Sequence, residues 1–330
     1  MSKLGLDANW PGFSSGITEK EYDDFNGLIK LVKHKNQWFT EDNVRKSFLN
    51  WGKDLKEDQL NKWLANYQIG TTPKRIGIIM AGNLPIVGMH DLLSVVMSNN
   101  IALVKLSSDD DQLLPALFKI LFNLCPGLKE RIFPVAKLEN YEAVIATGSN
   151  NSSRYFEAYF KHVPNVIRKN RTSVAIVKRD TTDDELTLLG KDVFDYYGLG
   201  CRNVTKVYFE EGFDLDRFFK AIYGFSDVAN MNKYANDLDY HKTLFLLNSV
   251  KFLENGFLIL REEKDFYSPI GVLHYEYFQS EEAVLKTIAS NSDQIQCIVG
   301  SNHIPYGKSQ QPSLTDYADG VDTMEFLTSL

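Results

Sequence analysis

The sequence predicts an α/β protein with a doubly wound parallel sheet, and three observations support this prediction. Short apolar, β-branched runs begin at residue 75 and alternate with helical patterns. Polar turns rich in glycine, asparagine and serine follow several of these runs. The hydrophobic content of 44% and the charged content of 24% are ordinary for a soluble globular protein. Such alternation is typical of parallel sheets covered by helices, with ligands at the strand ends.

Residues 1–70 are polar and show a helical pattern. Residues 19–33 and 55–67 each place their apolar side chains on one face, at the spacing of an amphipathic helix. We interpret both segments as helices that pack on a larger body and have no chemistry of their own.

The alternating region begins with predicted strands at residues 76–80, 101–106, 132–135, 143–146 and 172–177, separated by helices at 86–97, 112–124 and 152–161. The second half repeats the alternation less regularly, with strands at 206–210, 257–261, 271–278 and 295–299 and helices at 184–197, 214–223, 235–247 and 281–290. Polar residues interrupt the pattern at 180–183. We therefore expect two domains, residues 1–180 and 181–330.

Charge and cysteine usage restrict the class of protein. The net charge of -7 argues against a nucleic-acid-binding surface, which usually needs a basic face. Three cysteines far apart in sequence do not make a disulfide framework and fit a reducing compartment. We find no leader peptide, and no apolar run approaches the ~20 residues needed to span a bilayer. The sequence thus predicts a cytoplasmic protein without a membrane span.

Common binding fingerprints are absent from the sequence. It contains neither G-x-G-x-x-G nor G-x-x-x-x-G-K-[ST], the two glycine patterns that cradle phosphates. The histidines and cysteines show no metal-ligand spacing, so no metal site is expected. Cys125 precedes Pro-Gly at a helix end and Cys297 lies within a predicted strand, and we interpret both as core residues.

Cys201 is the candidate nucleophile. It lies in a Gly-Leu-Gly-Cys-Arg-Asn stretch between a predicted helix and a predicted strand, where glycines let the backbone turn sharply and approach a substrate. Arg202 and nearby backbone amides would stabilise the thiolate, which is the reactive form of cysteine. The alternative for a lone intracellular cysteine is a small buried side chain at a helix end.

Two loops that follow predicted strands carry candidate polar groups. Asn83, in the Gly82-Asn83-Leu-Pro turn, can donate its amide to an oxyanion or can simply bond to its own backbone. Lys105 ends a strand and precedes Ser107 and Ser108, where a cation suits a nucleotide ribose or phosphate; a surface lysine is the alternative.

A third loop comprises Thr147, Gly148 and Ser149, at the end of a strand and the start of a helix. This position suits an anion or a cofactor.

In this order, these motifs resemble the aldehyde dehydrogenase superfamily over roughly residues 70–330. The family pattern has an Asn-x-Pro turn, a strand ending in Lys-Pro-Ser, a Thr-Gly-Ser turn and then the nucleophilic cysteine. The later Ser-Pro-Ile-Gly-Val-Leu segment, residues 268–273, is similar to the family's late catalytic strand. The resemblance implies a Rossmann-type nicotinamide-cofactor domain within residues 1–180 and an α/β catalytic domain within residues 181–330, with a C-terminal oligomerisation tail.

Within this superfamily the chain is most similar to the fatty-acyl-CoA reductases of the bacterial bioluminescence type, through Lys-Asn-Arg-Thr-Ser at residues 169–173 and the Cys201 stretch. Hydrolytic relatives carry Glu-Leu-Gly-Gly ahead of the nucleophile, and its glutamate activates water. The matching position here, residues 168–171, has no carboxylate. A general base beside the cysteine would hydrolyse a thioester, so its absence favours reduction over hydrolysis. Arg168 and Arg171, with Arg202, are candidate substrate-binding residues, and a solvated basic turn is the alternative.

The resemblance implies an acyl-CoA reductase that forms a covalent acyl-enzyme on Cys201 and takes a hydride from NADPH, with Asn83 and the Cys201 amide holding the oxyanion. NAD-preferring relatives have a glutamate where this chain has Ser108, and Lys105 would pair with the 2′-phosphate of NADPH. We expect Asp109, Asp110 and Asp111 at the solvated start of the next helix. Three alternatives remain: an acyl-phosphate reductase, a cysteine acyltransferase or thioesterase, and a non-catalytic partner subunit.

The expected partners are an acyl-CoA or acyl-carrier thioester and a second copy of the chain. The family's C-terminal segment commonly helps to form a dimer, and apolar residues of the tail, Met324, Phe326, Leu327 and Leu330, belong to no evident core. We therefore predict a homodimer formed by the tail or by residues 67–74.

Overall fold

A computed structural model describes residues 1–6 and 9–330 of the chain. Its strands are β1 (Arg75–Ile79), β2 (Ile101–Lys105), β3 (Ile132–Pro134), β4 (Ala143–Thr147), β5 (Asn165–Arg168), β6 (Thr172–Val177), β7 (Val204–Glu210), β8 (Leu253–Glu254), β9 (Ile259–Glu262), β10 (Val272–Phe278) and β11 (Ile295–Val299). Its α-helices are α1 (Ser2–Gly5), α2 (Glu19–Leu31), α3 (Glu41–Asp54), α4 (Glu57–Leu64), α5 (Met89–Met97), α6 (Leu113–Leu124), α7 (Asn150–Phe160), α8 (Asp183–Phe194), α9 (Leu215–Ala221), α10 (Asn232–Leu247), α11 (Glu281–Ala289) and α12 (Thr323–Thr328). Short 3₁₀ helices occupy Phe13–Ser15, Val32–His34, Pro126–Glu130, Asp195–Gly198, Tyr223–Asn230 and Ala318–Gly320.

The chain forms two compact units, and the predicted mixed α/β class is confirmed. Unit 1 comprises Met1–Asn170 and Ser313–Leu330, and unit 2 comprises Arg171–Pro312. The division falls ahead of β6, whereas the polar residues at 180–183 predicted a later boundary. The reason is strand pairing, because β6 hydrogen-bonds to β7 and β11 rather than closing the first series of strands.

Unit 1 is built on a parallel sheet with the strand order β3-β2-β1-β4-β5. The three central residues of β1 and of β2 are buried, as expected for central parallel strands. The chain runs outward from β1 to β3 and then returns to β4 on the other side of β1. The sheet therefore has a topological switch point between β1 and β4, which is where open α/β sheets bind ligands.

Several boundaries in unit 1 differ from those predicted. Helix α5 begins at Met89 rather than at residue 86, because Ile86 has φ 51° and cannot continue a right-handed helix. Helix α3 and strand β5 were not predicted from the sequence. Strand β5 is short, and its alternation of half-buried and buried residues is too brief to recognise.

The C-terminal tail packs inside unit 1, and the expectation that its apolar residues lack a core is wrong. Met324 in α12 is fully buried and Leu327 is 3% exposed. Tyr317 accepts a hydrogen bond from the indole of Trp63 at 2.7 Å and bonds to the hydroxyl of Tyr67 at 2.7 Å. The apolar character of the tail therefore serves this packing, and it no longer argues for a dimer interface.

Unit 2 contains a second sheet with the strand order β11-β6-β7-β10-β9-β8. Its pairs are parallel except for the short β8, which is antiparallel to β9. Helix α8 leads into β7 through the turn that carries Cys201, and it begins with a capping box between Thr182 and Glu185.

Candidate active site

Cys201 lies in the tight turn before β7, with its side chain exposed to solvent. The backbone N–H of Asn203 donates to the carbonyl of Gly200 at 2.9 Å and closes the turn. The hydroxyl of Ser173, on the neighbouring strand β6, donates to the carbonyl of Cys201 at 3.0 Å. The backbone at the nucleophile is thus fixed from both sides while the thiol remains accessible.

Asn203 holds this turn against the end of α8, a role that was not predicted. Its side chain is fully buried. The amide nitrogen donates to the carbonyls of Asp192, Val193 and Asp195 at 3.1, 3.3 and 2.8 Å. The amide oxygen accepts from the backbone N–H of Gly200 at 2.8 Å. Asn203 therefore satisfies carbonyl groups that a helix end leaves without partners, and it ties them to the nucleophile turn.

The backbone immediately before the turn is strained. Tyr196, Tyr197 and Gly198 follow one another with φ values of 54°, 58° and 80°. Glycine adopts this left-handed conformation freely, but tyrosine does so at a cost of roughly 1 kcal/mol or more per residue. Such outliers persist where the surrounding structure determines them, and the Asn203 bonds to the end of α8 supply that constraint.

The three predicted substrate-binding arginines occupy different places. Arg168, 4% exposed, forms a buried ion pair with Asp91 at 2.7 Å in unit 1. It also donates to the carbonyl of Ala318 and to the hydroxyl of Thr323. This guanidinium joins β5, α5 and the C-terminal tail, and its predicted contact with substrate stays a prediction.

Arg171 and Arg202 both lie in unit 2. Arg171 donates to the carbonyls of Ser292 and Ile295, which connect α11 to β11. Arg202 is 8% exposed and donates to the carbonyl of Ser309 at 3.4 Å. Both side chains support loops in these positions, and their predicted contacts with substrate stay predictions.

The two other cysteines differ from their predicted surroundings. Cys125 follows α6 and is exposed, so the expectation that it is a core residue is wrong. Cys297 in β11 is half-buried, and its thiol lies 3.1 Å from the hydroxyl of Ser173. Exposure alone therefore does not distinguish Cys201 from Cys125. The turn that Ser173 and Asn203 hold in place is what distinguishes Cys201.

In unit 1, the predicted turn and the predicted lysine loop meet at the carboxyl ends of β1 and β2. A Cβ atom on Gly82 would come within 2.6 Å of the hydroxyl oxygen of Ser107, so only glycine fits there. Asn36 joins the same two loops by donating to the carbonyls of Gly82 and Asp109 at 3.4 and 3.3 Å. Asn83 is exposed beside this contact.

Asp110 connects these two loops from the inside, and its expected position at a solvated helix start is wrong. It is 2% exposed, and its carboxylate accepts from the backbone N–H of Ile86 at 2.9 Å. Burial raises the pKa of Asp110 to about 6, although the hydrogen bonds from Ile86 and Leu113 oppose the shift. Asp111 is ion-paired with Lys35. Asp109 and Asp111 are exposed, as expected.

The third predicted loop follows β4, on the other side of β1. Thr147 ends the strand, and Ser149 caps α7 by accepting from the N–H of Ser152 at 3.2 Å. A Cβ atom on Gly148 would lie 2.8 Å from the ring of Phe156, so the glycine allows close packing. The three loops that follow β2, β1 and β4 thus line one edge of the sheet, including its switch point.

The polar side chains of the loops after β1 and β2 have the chemistry to bind a nicotinamide dinucleotide. Lys105 ends β2 as a half-buried cation, Ser108 is exposed, and Asn83 presents an amide at the same edge. Cation, hydroxyl and amide donors suit phosphate and ribose oxygens. Two of the three neighbouring carboxylates already have partners, Asp110 in the backbone N–H of Ile86 and Asp111 in Lys35.

No group of three or more His, Cys, Asp or Glu side chains able to hold a metal occurs in residues 1–6 and 9–330. Within the same residues, no helix has the length and apolar character to cross a membrane.

The two sheets define an aldehyde-dehydrogenase-like fold, as comparison with solved structures shows. Lactaldehyde dehydrogenase from Escherichia coli is 14% identical and has a TM-score of 0.62, over 86% of this chain and 69% of that chain. Aldehyde dehydrogenase 21 from Physcomitrella patens, solved with the reaction product succinate, is 10% identical with a TM-score of 0.62, over 99% and 84%. An aldehyde dehydrogenase from Mycobacterium tuberculosis, complexed with NAD⁺, is 13% identical with a TM-score of 0.52, over 81% and 67%.

The chain belongs to the acyl-CoA reductase (LuxC) family, whose model matches residues 37–237. The match includes the loops after β1, β2 and β4 and the Cys201 turn. No curated protein matches the chain. Family membership and fold confirm the superfamily and the branch predicted from the sequence motifs.

Proposed function

We propose that the protein reduces an acyl thioester to an aldehyde through a covalent acyl-enzyme on Cys201, with NADPH as the reductant. The observation that carries this proposal is the Cys201 turn. Its cysteine is exposed, and hydrogen bonds from the side chains of Ser173 and Asn203 hold its backbone in place. Nucleophilic catalysis needs an accessible sulfur at a fixed position. Membership of the acyl-CoA reductase family supplies the substrate class.

The chain's own residues act in the first half of the reaction. The Cys201 thiolate attacks the carbonyl carbon of the thioester, a new C–S bond forms, and the bond to the leaving thiol breaks. The leaving thiolate takes up one proton, so that free CoA or a carrier thiol is released. We propose the amide of Asn83 and the backbone N–H of Cys201 as donors to the carbonyl oxygen as it becomes negative.

Lys105, Ser107, Ser108 and Thr147 are the residues that we propose to hold the dinucleotide. When bound, the reduced nicotinamide supplies the hydride that converts the acyl group to an aldehyde. The aldehyde dehydrogenase complexed with NAD⁺ supports a nicotinamide cofactor for this fold. The preference for NADPH rests on Ser108, which is neutral where NAD-preferring relatives have glutamate. A cytoplasmic homodimer stays a prediction.

Intact-mass spectrometry after incubation with acyl-CoA, in the absence of nucleotide, tests the proposal. We expect one acyl adduct on the wild-type protein, none on Cys201→Ala and an unchanged adduct on Cys125→Ala. Cys125 is the matched control because it is also exposed. An adduct that survives Cys201→Ala would overturn the assignment.

Adding NADPH separates reduction from the alternatives. A reductase discharges the adduct and oxidises NADPH in equal amounts, and aldehyde appears. A cysteine acyltransferase or thioesterase forms the adduct but leaves NADPH unchanged. An acyl-phosphate reductase consumes NADPH with an acyl phosphate and not with acyl-CoA.

A further inference from the structure

A short segment after α2 reaches the proposed cofactor edge of unit 1. It comprises residues 32–36, which we call the Lys35 segment, and it begins with the 3₁₀ helix Val32–His34. Val32 is buried, and the backbone amides of Lys35 and Asn36 both donate to its carbonyl, at 3.0 and 3.1 Å. Hydrogen bonds therefore fix the backbone of the segment where it meets the loops of the sheet.

Asn36 attaches this segment to two of those loops. Its side-chain amide nitrogen donates to the carbonyl of Gly82, in the loop after β1, and to the carbonyl of Asp109, in the loop after β2, at 3.4 and 3.3 Å. Its amide oxygen accepts from the backbone N–H of Trp38 at 3.1 Å, which fixes the orientation of the amide. Lys35, the residue before Asn36, is consequently held beside the loop that contains Ser108.

Lys35 contacts the same loop through its charge. Its ammonium group is ion-paired with Asp111, and the two side chains are 40% and 41% exposed. An ammonium group carries three hydrogen-bond donors, so Lys35 can bind a second anion while it remains bonded to Asp111. Asp111 follows Ser108 by three positions, and it thereby keeps this cation near the proposed site of the 2′-phosphate.

The charge of the loop itself shows why a second cation matters. Residues 105–111 contain one lysine, Lys105, and three aspartates, of which Asp109 and Asp111 are exposed. A phosphate monoester adds a further charge of about −1.5 to −2 at neutral pH. Lys105 alone does not balance these negative charges. Lys35 supplies a second positive charge at the opposite end of the loop.

We propose that Lys35 is a specificity-determining residue for the cofactor, and that its ammonium group binds the 2′-phosphate of NADPH together with Lys105. The inference rests on the proposed function, because it requires a nucleotide with a 2′-phosphate at the loops after β1 and β2. The family match begins at residue 37 and so assigns no role to Lys35. The N-terminal helical region, interpreted from the sequence as packing alone, thus takes part in nucleotide selection.

Direct binding tests this proposal without turnover. The two probes are adenosine 2′,5′-bisphosphate and adenosine 5′-monophosphate, which differ only in the 2′-phosphate, and calorimetry measures their dissociation constants. Lys35→Gln removes the charge and keeps a polar side chain. We expect it to weaken binding of the bisphosphate about fivefold or more, as for a charge-assisted contact at a partly exposed site, and binding of the monophosphate by less than about twofold.

Lys20→Gln is the matched control. Lys20 is also an exposed lysine paired with an aspartate, Asp24, but it lies at the other end of α2. The substitution removes the same charge from unit 1 and should leave both dissociation constants unchanged.

Two further measurements isolate the charge of Lys35. Lys35→Arg keeps the positive charge and should retain the wild-type preference for the bisphosphate within about twofold. Because salt screens exposed charges, raising the NaCl concentration from about 50 to about 500 mM should weaken binding of the bisphosphate to the wild type more than to Lys35→Gln.

The outcomes separate this proposal from the proposed function. A wild type that prefers the bisphosphate, with Lys35→Gln equal to Lys20→Gln, would overturn the role of Lys35 alone. Equal weakening of both probes in Lys35→Gln would also overturn it, because Lys35 would then only shape the loop. A wild type that binds the two probes equally would overturn the proposed preference for NADPH as well.

Discussion

The carboxylate of Asp110 accepts a hydrogen bond from the backbone amide of Ile86 at 2.9 Å, and this bond joins the loops after β1 and β2. Ile86 has φ 51°, a conformation that a β-branched residue rarely adopts and that costs roughly 1–3 kcal/mol. The turn that presents Asn83 is therefore held in a strained form by a buried acid. The second oxygen of Asp110 has no hydrogen-bond partner within the described part of the chain.

This arrangement makes the stability of unit 1 depend on pH. Burial raises the pKa of Asp110 from 3.8 to about 6. Asp110 therefore binds a proton more tightly in the folded than in the unfolded state. Its contribution to the free energy of unfolding is fully present below pH ~4 and is lost as the pH rises through ~6. Between pH 5 and pH 8 the loss is about 1.4 kcal/mol.

Asp110→Asn tests this prediction, because the amide oxygen can still accept from Ile86 and no longer titrates. The free energy of unfolding of the wild type, measured relative to Asp110→Asn, should fall by that amount from pH 5 to pH 8. Asp111, the adjacent acid, is ion-paired with Lys35, and Asp111→Asn serves as the control. A difference between wild type and Asp110→Asn that does not vary with pH would contradict the prediction.

Asn203 should be essential for the nucleophile turn. Asn203→Ala removes four hydrogen bonds of a fully buried amide and leaves carbonyls at the end of α8 unsatisfied, so we expect unit 2 to lose about 2–4 kcal/mol. Acylation of Cys201 should slow even at temperatures where the variant is folded. Chemical denaturation and intact-mass kinetics measure the two effects.

Asn248→Ala is the matched control for Asn203→Ala. Asn248 is an exposed asparagine whose amide donates to the carbonyl of Leu244 at a helix end. Equal effects of the two substitutions would show that the Asn203 bonds have no special role at Cys201.

Arg168 should stabilise unit 1 rather than bind substrate. Arg168→Met leaves the carboxylate of Asp91 buried without its ion-pair partner, and such losses cost about 3–5 kcal/mol. The neighbouring pair of Lys169 and Glu157 is exposed, so Lys169→Met should cost less than about 1 kcal/mol. Thermal unfolding measures both variants, and an unfolding temperature of Arg168→Met equal to that of Lys169→Met would refute the prediction.

Asn83 should act mainly in the transition state. We expect Asn83→Ala to lower kcat by about 10²-fold and to change KM little, as for other oxyanion donors. Because Asn83 is exposed, the variant should unfold at the wild-type temperature. A raised KM with a near-normal kcat would show that Asn83 only shapes the turn.

Ser108 should determine the choice of nicotinamide cofactor. Ser108→Glu places a carboxylate where a 2′-phosphate would bind near Lys105, so the preference for NADPH over NADH should reverse or disappear. Thr71→Glu adds the same charge to an exposed site in unit 1, ahead of the amino end of β1, and should leave the preference unchanged. Wild-type kinetics that favour NADH would already refute the prediction.

Local sequence patterns predicted the parts of the structure that depend on neighbouring residues. The alternation of strands and helices from residue 75 onward follows from short-range periodicity, and the order of the motifs alone indicates the superfamily. The turn at Cys201 could be predicted because Gly198 and Gly200 precede it. Its anchor, Asn203, lies two residues after Cys201, and an asparagine shortly after a predicted helix is the signal that could have identified it.

Contacts between residues far apart in sequence were decided only by the tertiary structure. The sequence around Arg168 indicates a basic turn, but Arg168 is paired with Asp91, which lies seventy-seven positions away in the chain. Asp110 lies in an acidic run typical of a helix start, yet it is turned inward by the amide of Ile86. The sequence alone determined most of the strands, helices and turns, because these depend on nearby side chains, although it did not reveal α3 and β5. Which charges are buried, and whether the tail is exposed, was determined by packing, because a buried polar group needs a partner that only the folded chain brings within reach.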